Sequence, residues 1–180
     1  MINKRLLDDI IREHNQYPTT PERSMLWQSI KLAYGVTDAK AQELSKTHCN
    51  SLALYALFKA REFFDSTYTA WLLKFRSEIR SDGYVSVVAE VLAKACNVEA
   101  YQNVGNKYFN NYDNCMQGIG LDSEKGYKIK VENISGTGSH FMAGYVENYC
   151  LYLSDSSSRG IHVKAKDVIP QSKFQWICEV

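Results

Sequence analysis

The stretch Ser139-His140-Phe141-Met142-Ala143-Gly144-Tyr145-Val146-Glu147-Asn148-Tyr149-Cys150-Leu151-Tyr152-Leu153-Ser154-Asp155 reads as two short strands joined by a tight turn. A symmetric two-residue loop at Glu147-Asn148 makes paired positions sum to 295, which sets His140 directly opposite Asp155. Directly opposed residues carry Cβ atoms ~4.5–5.5 Å apart, so a carboxylate there reaches an imidazole nitrogen. A histidine oriented by an aspartate is the base half of a nucleophilic triad. The missing nucleophile is expected upstream, at Cys49, where an apolar segment begins.

Cys49 opens a run, through Phe64, in which Leu52, Ala53, Leu54, Tyr55, Ala56, Leu57 and Phe58 are apolar on every face. A helix of that kind is buried in the middle of a domain. A cysteine at its tip meets unpaired N–H groups and the positive end of the helix dipole, both of which favour a thiolate. A structural role is the plainer alternative for each residue taken singly. Cys49 could be a buried thiol, His140 a strand histidine satisfied by a carbonyl, and Asp155 the start of the Asp-Ser-Ser-Ser turn. The three occurring together in this order favour the triad. The backbone N–H of Cys49 is one expected oxyanion donor, and Gln42 is the candidate for a second. His48 is expected to border the site, His162 is an alternative orienting group to Asp155, and His14 sits on an amphipathic helix.

Outward from this constellation, the chain divides into helices first and strands later. Leu6, Leu7, Ile10, Ile11 and His14 recur at helical spacing over residues 3–15. Thr20-Pro21-Glu22 is a helix start leading through Leu26, Trp27, Ile30 and Ala33 to a stop at Gly35. Thr37-Asp38 caps a short helix through Leu44. After the apolar helix, one amphipathic helix spans Tyr68 to Ile79 and another runs from Tyr84 to Ala95 after a turn at Asp82-Gly83. Residues 103–118, rich in Asn and Tyr, read as a loop-rich connection. Tyr127, Ile129 and Val131 alternate with charged residues as a half-buried strand. A turn at Gly136-Thr137-Gly138 leads into the hairpin, and segments 161–163 and 174–178 add short strands. The class is α+β, with N-terminal helices and a buried Cys-bearing helix packed on a small antiparallel sheet.

The chain has 180 residues and a net charge of +1, a size suited to one domain and a balance that offers no basic field for nucleic acid. No apolar run reaches the ~18–20 residues of a membrane span. Two aspartates interrupt the N-terminal leucines, so no signal peptide is expected and synthesis in the cytoplasm is. The five cysteines form no Cys-x-x-Cys, and no ligand pair near the candidate site has zinc spacing, so neither metal nor cofactor is expected. Cys96, Cys150 and Cys178 read as small buried hydrophobes, and Cys115 as exposed.

A buried helix led by Cys49, further helices, and then a sheet carrying His140 and Asp155 resembles the papain-like cysteine peptidase superfamily. Within it the likeness is nearest to the bacteriocin-leader (double-glycine) peptidase domains, through Ser139-His140-Phe141-Met142 and Leu153-Ser154-Asp155-Ser156. The segment Ile79-Arg80-Ser81-Asp82-Gly83-Tyr84, with the helix after it, looks like the middle of those domains. The resemblance covers residues 42–180 as a papain-like core, leaving 1–40 as a helical N-terminal extension that could pack beside the cleft, act as a lid or bind a partner. It implies a thiol hydrolase cleaving an amide bond of a peptide, protein or peptidoglycan substrate. Acyl transfer on the same triad and a non-catalytic binding module are the alternatives. Three positions depart from the family pattern: His48-Cys49-Asn50 replaces Asp-Cys-Gly, Gln42 lies seven rather than six residues before the cysteine, and Ser156 replaces a proline.

Overall fold

The computed structural model describes residues 1–20, 23–133 and 137–180. Among these, the helices are α1 (Lys4–Glu13), α2 (Met25–Tyr34), α3 (Asp38–Ser45), α4 (Cys49–Ala60), α5 (Tyr68–Lys74), α6 (Ala89–Ala95), α7 (Tyr112–Met116) and α8 (Ala165–Val168). The strands are β1 (Tyr108–Phe109), β2 (Gly126–Glu132), β3 (Ser139–Glu147), β4 (Cys150–Ser154), β5 (Val163–Lys164) and β6 (Phe174–Glu179). They form one antiparallel sheet in the order β1-β6-β2-β3-β4-β5. The class is therefore α+β.

Helix α4 is the centre of the molecule. Ser51 through Phe58 and Ala60 are all buried, as an apolar surface on every side requires. Its neighbours are β2 and β3 on the sheet side and α1 and α5 on the other. The Ser51 hydroxyl accepts hydrogen bonds from Tyr68 Oη (2.9 Å) and Trp71 Nε1 (3.3 Å), which fix the first turn of α4 against α5. Trp71 packs edge-on against Tyr55, Phe58, Phe64 and Phe75. A second apolar cluster lies on the other face of the sheet, where Tyr127, Ile129 and Val131 of β2 meet Met142, Leu151 and Leu153.

Helices α1 and α2 are not an appendage. Leu7, Ile10, Ile11, Leu26 and Ile30 belong to the same core cluster as α4. The backbone N–H groups of Ile2 and Asn3 donate to Glu124 (2.8 Å) and Ala60 (2.9 Å). Their apolar stripes are the reason: a helix face of Leu and Ile is buried against the nearest apolar partner, α4 for α1 and α3 and α5 for α2.

Several boundaries differ from the sequence reading. Helix α2 begins at Met25 with Ser24 at its cap, four residues after Pro21, and Pro21 and Glu22 lie outside the described residues, as does Gly136 of the turn before β3. Residues 84–88 are extended rather than helical. Ile79 bridges Val85, and Ser86 N–H donates to Glu78 O at 2.8 Å, so Asp82-Gly83 turns a small hairpin instead of starting a helix. The β-branched run Val85, Val87, Val88 favours that state. The loop expected at 103–118 contains β1 and α7, and Cys115 on α7 is buried, not exposed. Cys178 is buried as expected, while Cys96 and Cys150 are only half-buried.

The β3–β4 turn falls on Asn148-Tyr149, one residue later than Glu147-Asn148, and Glu147 pairs with Cys150. Paired positions therefore sum to 297 (147 + 150) rather than 295. Both turn residues have positive φ, 50° and 59°, the conformation a two-residue hairpin loop demands. Asn148 tolerates it, and Tyr149 takes it at a steric cost. The shift is by two residues, so every side chain keeps its face.

Candidate functional site

The candidate site forms where the tip of α4 meets the start of β3 and the turn after β4. With pairs summing to 297, His140 and Asp155 stand diagonally rather than directly opposite, on the same side of the ladder. The contact survives the changed register: His140 Nε2 donates to Asp155 Oδ1 at 2.6 Å. Cys49 is close enough to act on the same imidazole, and Nδ1 is the ring nitrogen that Asp155 does not engage. Cys49 and His140 line one cleft of about 310 Å³ together with Tyr17, Lys46, Asn133 and Arg159.

Asp155 is fully enclosed and heavily supplied with donors. Besides His140, it accepts the backbone N–H of Ser157 on Oδ1 (2.9 Å) and of Arg159 on Oδ2 (3.0 Å), and the Arg159 guanidinium lies 3.8 Å from Oδ2. The residue thus builds the Asp-Ser-Ser-Ser turn and orients the histidine at once. Burial by itself would raise its pKa. The hydrogen bond and charge of His140, with the two backbone donors, outweigh burial and hold it below the ordinary carboxylate value. His140 shows the complementary balance. Burial opposes its charge, but the bonds to Asp155 and Cys49 and their charges raise its pKa to about 9. At neutral pH the ring is an imidazolium, the counter-charge that a thiolate at Cys49 needs.

Cys49 is the first residue of α4, so its backbone N–H and those of Asn50 and Ser51 belong to the turn that has no partner within the helix. The oxyanion donor expected at the Cys49 N–H is thus a backbone group of this first turn. Gln42 is not a second one. It projects into solvent from α3, whose inward side is formed by Ala41, Leu44 and Ser45, and it does not line the cleft. Its helical position, one residue past the buried Ala41, turns it out of the core.

His48 supports the site from below. It is buried, Nδ1 donates to Leu44 O (2.7 Å), and Nε2 faces Tyr34 Oη at 3.5 Å. Burial, only partly offset by the Leu44 bond and by Asp82, lowers its pKa to about 4, so it stands neutral. Gly83 presses on the same segment: at φ 85°, a Cβ on it would come 2.3 Å from Thr47 O. His162 does not orient His140. It stacks on Tyr152 and faces Tyr145 Oη at 2.5 Å, in a separate cluster with Asp8. His14 is buried on Ile10 O at 2.6 Å, between Tyr55 and Tyr68.

Three supporting residues escaped the sequence reading. Gln16 braces the turn after β4: its backbone N–H donates to Ser156 O (2.9 Å), Oε1 accepts from Ser156 Oγ (2.9 Å), and Nε2 donates to Ser45 O (2.9 Å). Asp8 accepts from Ser154 Oγ (2.6 Å) and Tyr145 Oη (2.8 Å), tying α1 to the strand that leads into Asp155. Its signal was a charge inside the Leu7-Ile10-Ile11 stripe. Arg159 carried no signal, because its role arises from the turn. Ser156 puts its hydroxyl to use on Gln16, a bond that proline at this position would lack.

Among the described residues no group of histidines, cysteines and carboxylates is arranged to hold a metal ion, and no helix is long and apolar enough to cross a membrane. The chain matches no protein-family model, no curated protein and no solved structure.

Proposed function

We propose that this chain is a papain-like thiol hydrolase that cleaves an amide bond in a peptide, protein or peptidoglycan substrate. The observation that carries the reading is the Cys49–His140–Asp155 relay at the tip of α4, facing one cleft. Cys49, as thiolate beside the His140 imidazolium, attacks the carbonyl carbon. The developing oxyanion meets the backbone N–H of Cys49 in the first turn of α4. His140 delivers its proton to the departing amine, the C–N bond breaks, and a thioester remains on Cys49. Water then attacks the thioester, His140 takes the water proton, and the acid leaves as the Cys49 thiolate is regenerated beside the imidazolium. Asp155 keeps the imidazole turned toward Cys49 and favours its charged form.

Alkylation at pH 7 with iodoacetamide, read by peptide mass spectrometry, tests this. Cys49 should label ahead of Cys96 and Cys150, although all three are half-buried. His140→Ala should slow Cys49 by at least about ten-fold, because the cationic partner is gone. A Cys49 that reacts only after unfolding is a core thiol, and the hydrolase reading then falls.

A further inference from the structure

The alternation that buries Tyr127, Ile129 and Val131 turns Lys128 and Lys130 to the face of β2 that carries Phe141 and Ala143. There a second cleft, of about 230 Å³, opens. Asn50, Tyr84, Tyr108, Lys128, Phe141 and Trp176 are among the residues that line it. Chain neighbours line the two clefts: Cys49 and His140 the first, Asn50 and Phe141 the second. At the rim of the second, Tyr84, Val88 and Tyr108 are exposed apolar side chains.

Lys128 has an unusual set of partners for a lysine set into the wall of a cleft. Its Nζ donates to the neutral Asn50 Oδ1 at 3.0 Å and lies 5.1 Å over the Phe141 ring and 5.7 Å over the Trp176 ring. Among the described residues it forms no ion pair with a carboxylate. The ionisable groups that act on it are Cys178, Cys49 and Lys130, and burial lowers its pKa to about 8. The Lys130 Nζ lies 5.9 and 5.6 Å from the same two rings. The cleft therefore combines aromatic walls with positive charge that no carboxylate among the described residues pairs. A cation withdrawn from water is costly without an anion, and a carboxylate reaching it gains a charge-assisted hydrogen bond.

We propose that this second cleft is a specificity subsite for an acidic peptide residue, and that Lys128 is the residue that selects it. The substrate class is then a peptide carrying a glutamate-like side chain near the cleaved bond, its methylenes against Phe141 and Trp176 and its carboxylate on Lys128 Nζ. The assignment rests on the hydrolase reading for its meaning as a subsite, and its test does not depend on turnover.

The test uses the Cys49→Ala protein and two pools of capped tetrapeptides, identical except for Glu or Gln at one fixed position. Acetyl and amide caps remove the terminal charges. Binding is followed at the Trp176 indole N–H resonance, assigned with Trp176→Phe. The Glu pool should bind about ten-fold tighter than the Gln pool. Lys128→Met should erase that preference, and Lys128→Arg, which keeps the charge and guards against a folding artefact, should retain it. Equal binding of the pools, tighter binding of the Gln pool, no response at Trp176, or a preference that persists in Lys128→Met overturns the assignment. A reactive Cys49 with no Glu preference removes the subsite alone. An inert Cys49 with an intact Glu preference removes the hydrolase and leaves an acidic-peptide cleft.

Discussion

His140 answers to two partners of opposite placement, and Asp155 is the one that can be changed without touching the thiol. Its carboxylate takes donors on both oxygens, from His140 and Ser157 on Oδ1 and from Arg159 on Oδ2. An amide at this position has one acceptor oxygen and one donor nitrogen. Asp155→Asn therefore sets a donor against a donor on one side and removes the charge that sustains the imidazolium. The His140 pKa should fall from about 9 toward its ordinary 6.5. In an NMR titration of the ring, the midpoint should move down by at least one unit. The loss of a satisfied buried donor should cost about 1–3 kcal/mol in a urea unfolding experiment. A midpoint that stays near 9 would mean that Asp155 does not sustain the imidazolium.

At the scale of elements, the β3–β4 hairpin shows what a sequence can and cannot specify. The alternation of apolar residues made both strands legible, and because side chains repeat every two residues, it also put His140 and Asp155 on one face. It did not fix which two residues turn. That choice belongs to backbone sterics at Asn148 and Tyr149, and it moved the pairing by two positions without breaking the His140–Asp155 contact. Helix α4 was legible for a related reason, since a run apolar all round has only one stable location. Gln42 was not, because neighbouring helix residues differ by about 100° in direction, and one residue separates the core, where Ala41 lies, from solvent. Arg159, Gln16 and Asp8 act through contacts between segments far apart in the chain, which local patterns do not encode. Tyr149 makes the turn's cost measurable. It is 89% exposed and sits at φ 59°, a conformation that a residue with a Cβ reaches only at a cost. Tyr149→Gly should stabilise the protein by about 1 kcal/mol, seen as a higher urea midpoint with an unchanged slope. A lower midpoint would show that the tyrosine ring makes contacts worth more than the strain.

For the whole molecule, the buried histidines set a pH profile with two opposite limbs. His14 and His48 both brace α4 from the helical side, and both are held neutral. Burial lowers His14 to about 4 against its bond to Ile10 O, with Lys59 adding to the lowering, and His48 falls to about 4 in the same way. Among the described residues His14 Nε2 has no hydrogen-bond partner, so a proton there gains nothing. For these two the unfolded chain binds protons that the folded protein refuses. Stability should therefore fall as pH drops from about 6.5 through 4, by on the order of 3 kcal/mol per histidine. His140 has the opposite sign. Its folded pKa is raised, so its contribution is whole below 6.5 and is lost as pH rises through about 9. Asp155, lowered on folding, holds its contribution above the ordinary carboxylate range and loses it only in stronger acid. The two limbs meet near pH 6.5, where urea stability should peak. His14→Phe fills the same space between Tyr55 and Tyr68 without a titrating nitrogen, and it should roughly halve the acid limb while leaving the alkaline limb intact. His140→Ala should do the reverse. A urea midpoint that stays flat between pH 4.5 and 6.5 would show that His14 and His48 take up protons in the folded state, and that α4 is less tightly enclosed than its packing implies.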